Sequence, residues 1–404
     1  MGGNPSRVCV TGPLETYVSG FASELVRVGY TQNVTADQLR LFAHLSRWLA
    51  TQGLEAAELT ATVGDAFLTA RRAAGYRLWL SRKALRPLLE YLRDLGAAPP
   101  EPIRVPTPTE VLLERYREYL TSERGVACTT ARGYVHMVRP FLRTREAPDG
   151  TLELTGLVAG HITAFVVAEA PGRRVGSAKL LVCALRSFLG FLHVDGMLAH
   201  SLTSAVPAVA GSRLAGLPKG LTSGQVRQLL ASCDQRTAVG SRDFAVLTML
   251  VRLGLRAGEL VALELADVDW RGGEIVVRGK GNRCERLPLP VDVGQAIVTY
   301  LQHGRPASEC RRLFLRIRAP RGALTSGGVT NIVLGAARKA GLPPVAAHRL
   351  RHTVASEMLR AGAPLREIGQ VLRHRSLLST AIYAKVDHQA LRQLARPWPA
   401  GGVA

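Results

Sequence analysis

The segment HRSLLSTAIYA, residues 374–384, contains two residues whose chemistry could be used together. His374 is followed nine residues later by Tyr383, which lies between small and apolar neighbours. A phenol has an ordinary pKa of about 10, so it attacks an electrophile at neutral pH only beside cationic groups or a base. A tyrosine in such a segment is more often a half-buried packing residue. The segment alone leaves both roles open.

A second candidate is Arg256 in the segment GLRAGEL, just after a glycine-containing break in an apolar helix. Glu259 follows three residues later, and residues three apart share one face of a helix. An exposed surface ion pair would explain this spacing by itself. Arginine also presents a planar fork of donors that fits phosphate oxygens. We interpret Glu259 as a support for Arg256.

Lys280 lies in the segment RGKGNRCER, with a glycine on each side that would let the backbone carry the ammonium group toward a ligand. The β-branched residues that flank this segment predict a hairpin with the lysine at its tip. A nucleotide-binding P-loop is excluded, because Glu274 stands where its first glycine would be and Gly281 replaces its serine or threonine. An ordinary turn with a solvated lysine is the alternative.

The segment AAHRLRHTVASEML carries two histidines and an arginine. His348 and Arg351 are three residues apart, so on a helix they share a face and can bind one anion. We expect the neighbouring His352 to point elsewhere and to have a structural role, hydrogen-bonded to a backbone group. A zinc site is not expected here, since the cysteines are remote in sequence.

The composition indicates a polyanionic partner. Lysine and arginine number 52 against 31 acidic residues, which gives a formal charge of +21 and a pI near 10.6. Nucleic acid is the first candidate and an anionic membrane the second, but no apolar run reaches the length that spans a bilayer. Six scattered cysteines and no signal-peptide pattern predict a reducing compartment, the bacterial cytoplasm.

Two stretches of the N-terminal half resemble each other at a shift of 100 residues. ALRPLLEYLRDLG (84–96) and ALRSFLGFLHVDG (184–196) share Ala-Leu-Arg, then leucine, an aromatic residue, leucine and a final glycine in the same register. Residues 41–53 and 135–146 are a second similar pair, and Phe67 and Phe165 occupy similar places. This agreement predicts a duplicated four-helix unit. The alternative is that any two amphipathic helices look alike.

The C-terminal half predicts a mainly helical region with one small antiparallel sheet. Five prolines between residues 96 and 110 favour an extended linker, and a second linker is rich in small residues, with Thr222 as the N-cap of the following helix. Helical periodicity is present over residues 222–233, 241–254, 257–264, 290–303, 326–340, 349–361 and 364–372.

The order and spacing of these segments resemble the tyrosine recombinase family, the phage-type integrases. That family has an arginine in a GLR-x-x-EL box, a lysine in a GKG hairpin, an H-x-L-R-H-T box, an L-G-H box and a tyrosine nine residues after the last histidine. All six family positions are matched in this chain, by Arg256, Lys280, His348, Arg351, His374 and Tyr383. An ordered series of five motifs is far more specific than any one of them.

The resemblance implies an arrangement of domains. A catalytic domain would span residues 218–387, after a SAM-like helical core-binding domain at 109–203 and a linker at 204–217. An N-terminal helical unit, 1–98, would be a second DNA-binding unit, a duplicate joined by the proline-rich linker 99–108. The tail, 388–404, would dock on a neighbouring protomer and so make a tetramer on two DNA sites.

The resemblance also implies a mechanism. Tyr383 would attack a phosphodiester of double-stranded DNA, which forms a 3′-phosphotyrosyl link and frees a 5′-hydroxyl without ATP or a metal. Arg256 and Arg351 would hold the non-bridging oxygens, and Lys280 would protonate the leaving oxygen. The remaining residues would be His348, a base or proton relay, and His374, a donor to a phosphate oxygen. The partners would be DNA with specific recombination sites, other protomers, and accessory recombinases or directionality factors. The protein would act for a mobile element, in the cytoplasm at the bacterial nucleoid.

One position departs from the family pattern. Arg373 stands where a glycine usually precedes the histidine of the third box, and a positive φ would cost an arginine on the order of 1 kcal/mol. An added phosphate contact or a different turn would compensate. Two other functions fit the chain, a type IB topoisomerase that religates the same strand and a non-catalytic DNA-binding protein of the same fold. Complete retention of the six residues argues against the second.

Overall fold

The computed structural model describes residues 5, 8–101, 105–210, 220–279, 284–373, 380 and 382–383. Its strands are β1 (Val268–Asp269), β2 (Glu274–Arg278) and β3 (Cys284–Pro288). Its helices are α1 (Val18–Val28), α2 (Gln32–Gln52), α3 (Ala61–Ala73), α4 (Arg82–Asp94), α5 (Pro108–Glu118), α6 (Cys128–Arg143), α7 (Ala159–Glu169), α8 (Val175–Val194), α9 (Ser223–Ala231), α10 (Ala238–Leu253), α11 (Ala257–Ala262), α12 (Val291–His303), α13 (Ser326–Lys339), α14 (Ala347–Arg360) and α15 (Leu365–Val371). The predicted fold class, mainly helical with a small antiparallel sheet, is confirmed.

The described residues fall into two compact units. One lies within residues 102–215, and the other combines residues within 1–101 with residues within 216–404. Inside the second of these units, the backbone amide of Arg321 donates to the carbonyl oxygen of Val28 at 3.1 Å. The N-terminal helices therefore contact the C-terminal region directly.

The last helices of the two sets α1–α4 and α5–α8, which are α4 and α8, end in the same way at the predicted shift of 100 residues. Gly96 and Gly196 follow α4 and α8 with φ of 68° and 75°, a left-handed conformation that glycine adopts without a Cβ penalty. The next amide, of Ala97 or Met197, donates back to the carbonyl of Leu92 or Leu192 at 2.9 Å in both cases. Both helices also bury the Ala-Leu pair that begins the shared sequence.

Aromatic contacts recur in the two cores as well. The ring centroids of Phe21 and Tyr91 are 5.3 Å apart, and those of Tyr116 and Phe191 are 5.4 Å apart, so the first and last helix of each set meet through aromatic rings. A second matching pair joins the middle helices, Trp48 with Phe67 and Phe141 with Phe165.

Helix α8 is long and apolar enough to cross a membrane by length and composition, alone among the described helices, and half of its most apolar window is buried.

The C-terminal region is built around α10, whose side chains from Ala245 to Val251 are all buried. Thr222 caps α9 as predicted, because its hydroxyl accepts the backbone N–H of Gln225 at 3.2 Å. The hairpin is also present, with Glu274 paired to Pro288. The sequence did not predict β1, which pairs antiparallel with β2 and makes a third strand.

The last described residues close a small apolar cluster. Tyr383 lies in a 3-10 turn, is 1% exposed, and belongs to one apolar cluster with Val354 of α14, Ile368 of α15 and Leu372, the residue after α15. Helices α14 and α15 thereby bring the tyrosine to the face of α14 that carries the histidines. Residues far apart in sequence meet at this cluster.

Candidate active site

A single buried carboxylate organises three arginines. Glu259, 4% exposed, accepts the backbone N–H of Arg256 at 3.0 Å and a side-chain N–H from the Nη1 of the same arginine. It also accepts Nη2 of Arg373 at 2.9 Å, and Nη1 of Arg351 lies 3.9 Å away. Arg256 and Arg351, which are 95 residues apart in sequence, are therefore held around one group.

Local sequence explains why Arg256 stands here. Gly254 ends α10 with φ of 58°, and a Cβ on it would lie 2.7 Å from the Leu372 side chain, so any other residue would be strained here and would have to displace that side chain. Arg256 is then the N-cap of α11, and Glu259 at the third helical position reaches back to the N-cap amide. The motif GLRAGEL is thus a helix start that also fixes an ion pair.

Arg351 enters the cluster from α14. Arg351 is 1% exposed, and its Nη1 donates to the carbonyl oxygen of Gly254 at 2.6 Å. Burial first, and then the nearby charge of Arg256, lowers its pKa to about 10, so the guanidinium still carries its charge at neutral pH. Its Nη2 is buried and has no hydrogen-bond partner among the residues that the structure describes. A charged donor in such a place is suited to an anion.

Glu259 remains ionised in this site. Burial alone would raise the pKa of its carboxyl group, but the backbone N–H of Arg256 and the charges of Arg373 and Arg256 outweigh it and hold that pKa below its usual range. Three guanidinium groups share this one negative charge. The cluster therefore keeps an excess of positive charge that would attract a phosphate.

The hydroxyl of Tyr383 is within hydrogen-bond distance of His352, for which the sequence predicted only a structural role. Nδ1 of His352 and the hydroxyl oxygen of Tyr383 are 2.8 Å apart, a hydrogen-bond distance. The expectation that His352 points elsewhere is wrong. His348 and His352 are four positions apart, so the two rings lie one helical turn apart, with centroids 4.4 Å from each other. That spacing was visible in the sequence.

The charge states of this group follow from its surroundings. Burial first, and then the proximity of His348, lowers the pKa of His352 to about 4. The pKa of His348 is lowered as well, by burial and by Arg351 and Arg256. Burial raises the pKa of Tyr383, although the charge of Arg351 opposes the rise. At neutral pH the site therefore has a protonated phenol beside a neutral imidazole.

Arg373 adopts the strained conformation that the sequence analysis considered, with φ of 53°. Its side chain is buried and donates to Glu259 at 2.9 Å and to the carbonyl of Val371 at 3.0 Å. In this structure the contact expected with a phosphate is replaced by contacts with the protein. The sequence signal was an arginine at a helix end where glycine is usual.

Two of the predicted residues, Lys280 and His374, lie outside the described residues. The strands on either side of the lysine are described and pair up to Arg278 and Cys284, so the hairpin that would carry it is present. Of the six predicted residues, the structure brings together Arg256, His348, Arg351 and Tyr383. Within the described part of the chain, no group of three or more His, Cys, Asp or Glu residues could hold a metal ion.

The geometry is suited to activating a phenol beside a bound anion. The arginines supply fixed donors, and Nδ1 of His352 lies within hydrogen-bond distance of the phenolic oxygen. Such preorganised donors stabilise charge that develops on a phosphate during displacement. The arrangement thus places a cationic cluster, a phenol and an imidazole side by side.

Comparison with known proteins gives an independent result. Residues 219–390 match the family model described as the phage integrase family. The integrase/recombinase y4rA of Sinorhizobium fredii is 41% identical over 96% of this chain and 95% of its own length. The tyrosine recombinase XerD of Listeria monocytogenes is 30% identical over 70% of this chain and 96% of its own. The XerH recombinase in a post-cleavage complex with palindromic difH has a TM-score of 0.56 at 19% identity, covering 71% of this chain and 85% of its own.

Proposed function

The chain belongs to the phage integrase family, the tyrosine recombinases, and is a site-specific DNA recombinase, and we propose that it cuts and rejoins double-stranded DNA with Tyr383 as nucleophile. The observation that carries this proposal is the convergence of Arg256 and Arg351 on Glu259, next to a tyrosine whose hydroxyl is bonded to His352. These contacts join three distant segments of the sequence into one site.

In the proposed reaction the phenolic oxygen attacks a backbone phosphorus. The bond from phosphorus to the 5′-oxygen breaks, and a 3′-phosphotyrosyl link forms. The free 5′-hydroxyl of a partner strand then attacks the same phosphorus and releases the tyrosine, so the number of phosphoester bonds is conserved. No external energy source is needed for this exchange.

The side chains have separate roles in that step. Arg256 and Arg351 hold the non-bridging oxygens, and this role is supported by the buried Nη2 of Arg351, which has no hydrogen-bond partner among the described residues. In this proposal the phenol O–H donates to Nδ1 of His352, which lies 2.8 Å from the phenolic oxygen, and the imidazole takes up the proton as the phenol attacks the phosphorus. His348 lies against that ring and relays the proton onward. Two roles remain as the family resemblance implies them, a proton from Lys280 to the leaving oxygen and a hydrogen bond from His374 to a phosphate oxygen.

The helices that precede this site would hold the DNA. We assign residues 109–203 as the core-binding domain and residues 1–98 as a duplicate of it, joined by the linker 99–108. The matching helix ends and aromatic pairs of the two sets support the duplication. The match to XerD covers nearly all of that protein but 70% of this chain, which leaves room for an added unit. The catalytic domain would span 218–387, after a linker at 204–217, and the tail 388–404 would dock on a neighbour.

Positive charge is concentrated near the proposed chemistry. Residues 216–404 contain 28 lysines and arginines against 13 acidic residues, whereas residues 1–101 contain 11 against 9. Phosphate contacts at the catalytic domain would therefore dominate the affinity for DNA. The N-terminal helices would mainly fix the register of the protein on the duplex and would contribute less electrostatic attraction. We further propose a tetramer on two recombination sites, acting for a mobile element in the bacterial cytoplasm by integration, excision or transposition.

The test begins with DNA selected by the Tyr383→Phe protein, which should bind but not cut. A nicked duplex of the selected sequence should trap the wild type as a covalent adduct, whereas Tyr383→Phe should give none. Two-site recombination of this DNA, without relaxation of a supercoiled circle lacking the site, would separate a recombinase from a topoisomerase. Adduct formation by Tyr383→Phe would refute the assignment of the nucleophile.

The N-terminal assignment has its own test. The footprint of Tyr383→Phe on the selected DNA should extend beyond the region covered by the catalytic and core-binding domains. Lys83→Glu and Arg86→Glu on α4 should shorten the footprint from its outer end, because they reverse charge on an exposed helix face. An unchanged footprint would argue against DNA contact by this unit.

A further inference from the structure

Arg373 occupies a backbone position that favours glycine. It follows the end of α15, where its amide donates to the carbonyl of Gln370 at 2.8 Å, and its φ of 53° is left-handed. A side chain in this conformation costs on the order of 1 kcal/mol relative to glycine. The surroundings must compensate for that cost.

The side chain makes the compensating contacts. It is 3% exposed, and its two terminal nitrogens donate to Oε2 of Glu259 and to the carbonyl of Val371. Hydrogen bonds to a charged group are stronger than those between neutral groups. The ion pair with Glu259 can therefore offset the backbone strain.

The backbone of Arg373 acts on the same pair of residues. Nη2 of Arg256 donates to the carbonyl oxygen of Arg373 at 3.2 Å, while Nη1 of Arg256 donates to Glu259. The guanidinium of Arg256 is thus held from two sides, and Arg373 supplies one side directly and fixes the carboxylate that supplies the other. The left-handed turn allows both contacts to come from one residue.

Packing alone does not explain an arginine here. An apolar side chain could fill the same buried space without placing a third positive charge beside Arg256 and Arg351. Repulsion among the guanidinium groups is tolerated because each interacts with Glu259. The arginine is therefore better explained by what it does to the carboxylate than by the volume it fills.

We propose that Arg373 is a positioning residue, which orients Glu259 and Arg256 toward the DNA phosphate through its buried guanidinium and its left-handed backbone. This role rests on the proposed function, because it matters only if Arg256 binds the reacting phosphate. At this turn the chain has an arginine in place of the glycine that would be unstrained, and the arginine is the third guanidinium group around Glu259.

The experiment compares Arg373→Gly, which removes strain and charge, with Arg373→Gln, which keeps the strain. Arg366→Gln removes an exposed charge from the same helix and is the matched control. The readout is the rate of adduct formation at saturating nicked DNA of the selected sequence, together with the Kd for that DNA. Both Arg373 variants should slow the covalent step by about 10- to 100-fold, the effect of a small misplacement, with Kd changed less than about threefold. The control should match the wild type.

Rescue distinguishes positioning from a general loss of structure. Methylguanidinium should restore part of the rate of Arg373→Gly, since it can occupy the space beside Glu259, and methylammonium should restore less. An unchanged rate in Arg373→Gly beside an active wild type would overturn the positioning role and leave the proposed function intact. No adduct from the wild type itself would instead refute the proposed function.

Discussion

The substitution Glu259→Gln tests the cluster most directly, because it keeps the shape of the side chain and removes its charge. The carboxylate is 4% exposed and is the shared acceptor for Arg256 and Arg373, with Arg351 at 3.9 Å. In the variant these three guanidinium groups lose the negative charge that they share. Their mutual repulsion then acts inside a poorly solvated site.

The expected cost is large for a single isosteric change. Removing one partner of a buried ion pair costs about 3–5 kcal/mol, since the other charge remains buried and unpaired. We expect the free energy of unfolding of the compact unit that contains Glu259 to fall by that amount at pH 7. The control is Glu274→Gln, because the Glu274–Arg286 pair is 3.0 Å apart but largely exposed, and loss of an exposed pair costs about 0–1 kcal/mol.

The assay is chemical denaturation followed by near-ultraviolet circular dichroism between pH 3 and 8. The folded pKa of Glu259 lies below its ordinary value, so its contribution to stability is complete above the ordinary glutamate pKa of about 4.3 and is lost as the pH falls through the folded pKa. The difference between wild type and Glu259→Gln should therefore shrink in acid. Equal small losses in both variants, or a difference that does not change with pH, would refute the reasoning.

Three further predictions concern the base, its titration and the repeated helices. His352→Gln should slow adduct formation by about 100- to 10,000-fold with little change in DNA affinity, as measured on the nicked duplex, because it removes the proton acceptor of Tyr383. The folded pKa of His352, about 4, lies below its ordinary value, so the contribution of the neutral imidazole to stability is complete above about pH 6.5 and is lost as the pH falls toward 4. In denaturant titrations over that range, the free energy of unfolding of the wild type should fall by about 1–3 kcal/mol relative to that of His352→Gln. Gly96→Ala and Gly196→Ala should each lower stability by about 1 kcal/mol, since both positions have positive φ and open space around the missing Cβ; an effect at one position alone in thermal melts would count against their equivalence.

Local patterns predicted most of the helical architecture. Apolar spacing placed the helices of the C-terminal region to within a few residues, and the hydroxyl of Thr222 caps α9 because capping depends on neighbours only three positions away. The strand β1 was missed because two residues give no periodicity, and its pairing with β2 is decided by the fold. The repeated Ala-Leu-Arg segments also showed in sequence, since burial on one helix face constrains residue type at fixed spacing.

The sequence by itself also determined the chemistry available, through the order of Arg256, His348, Arg351 and Tyr383 and the excess of positive charge. Only the tertiary structure decided which side chains contact one another in the site. Glu259 serves three arginines, one of them 114 positions away, and His352 contacts a tyrosine 31 positions away. Helical spacing fixes which residues share a face, but contacts between distant segments depend on how α11, α14 and α15 pack together. That packing is a property of the whole core, and no local pattern encodes it.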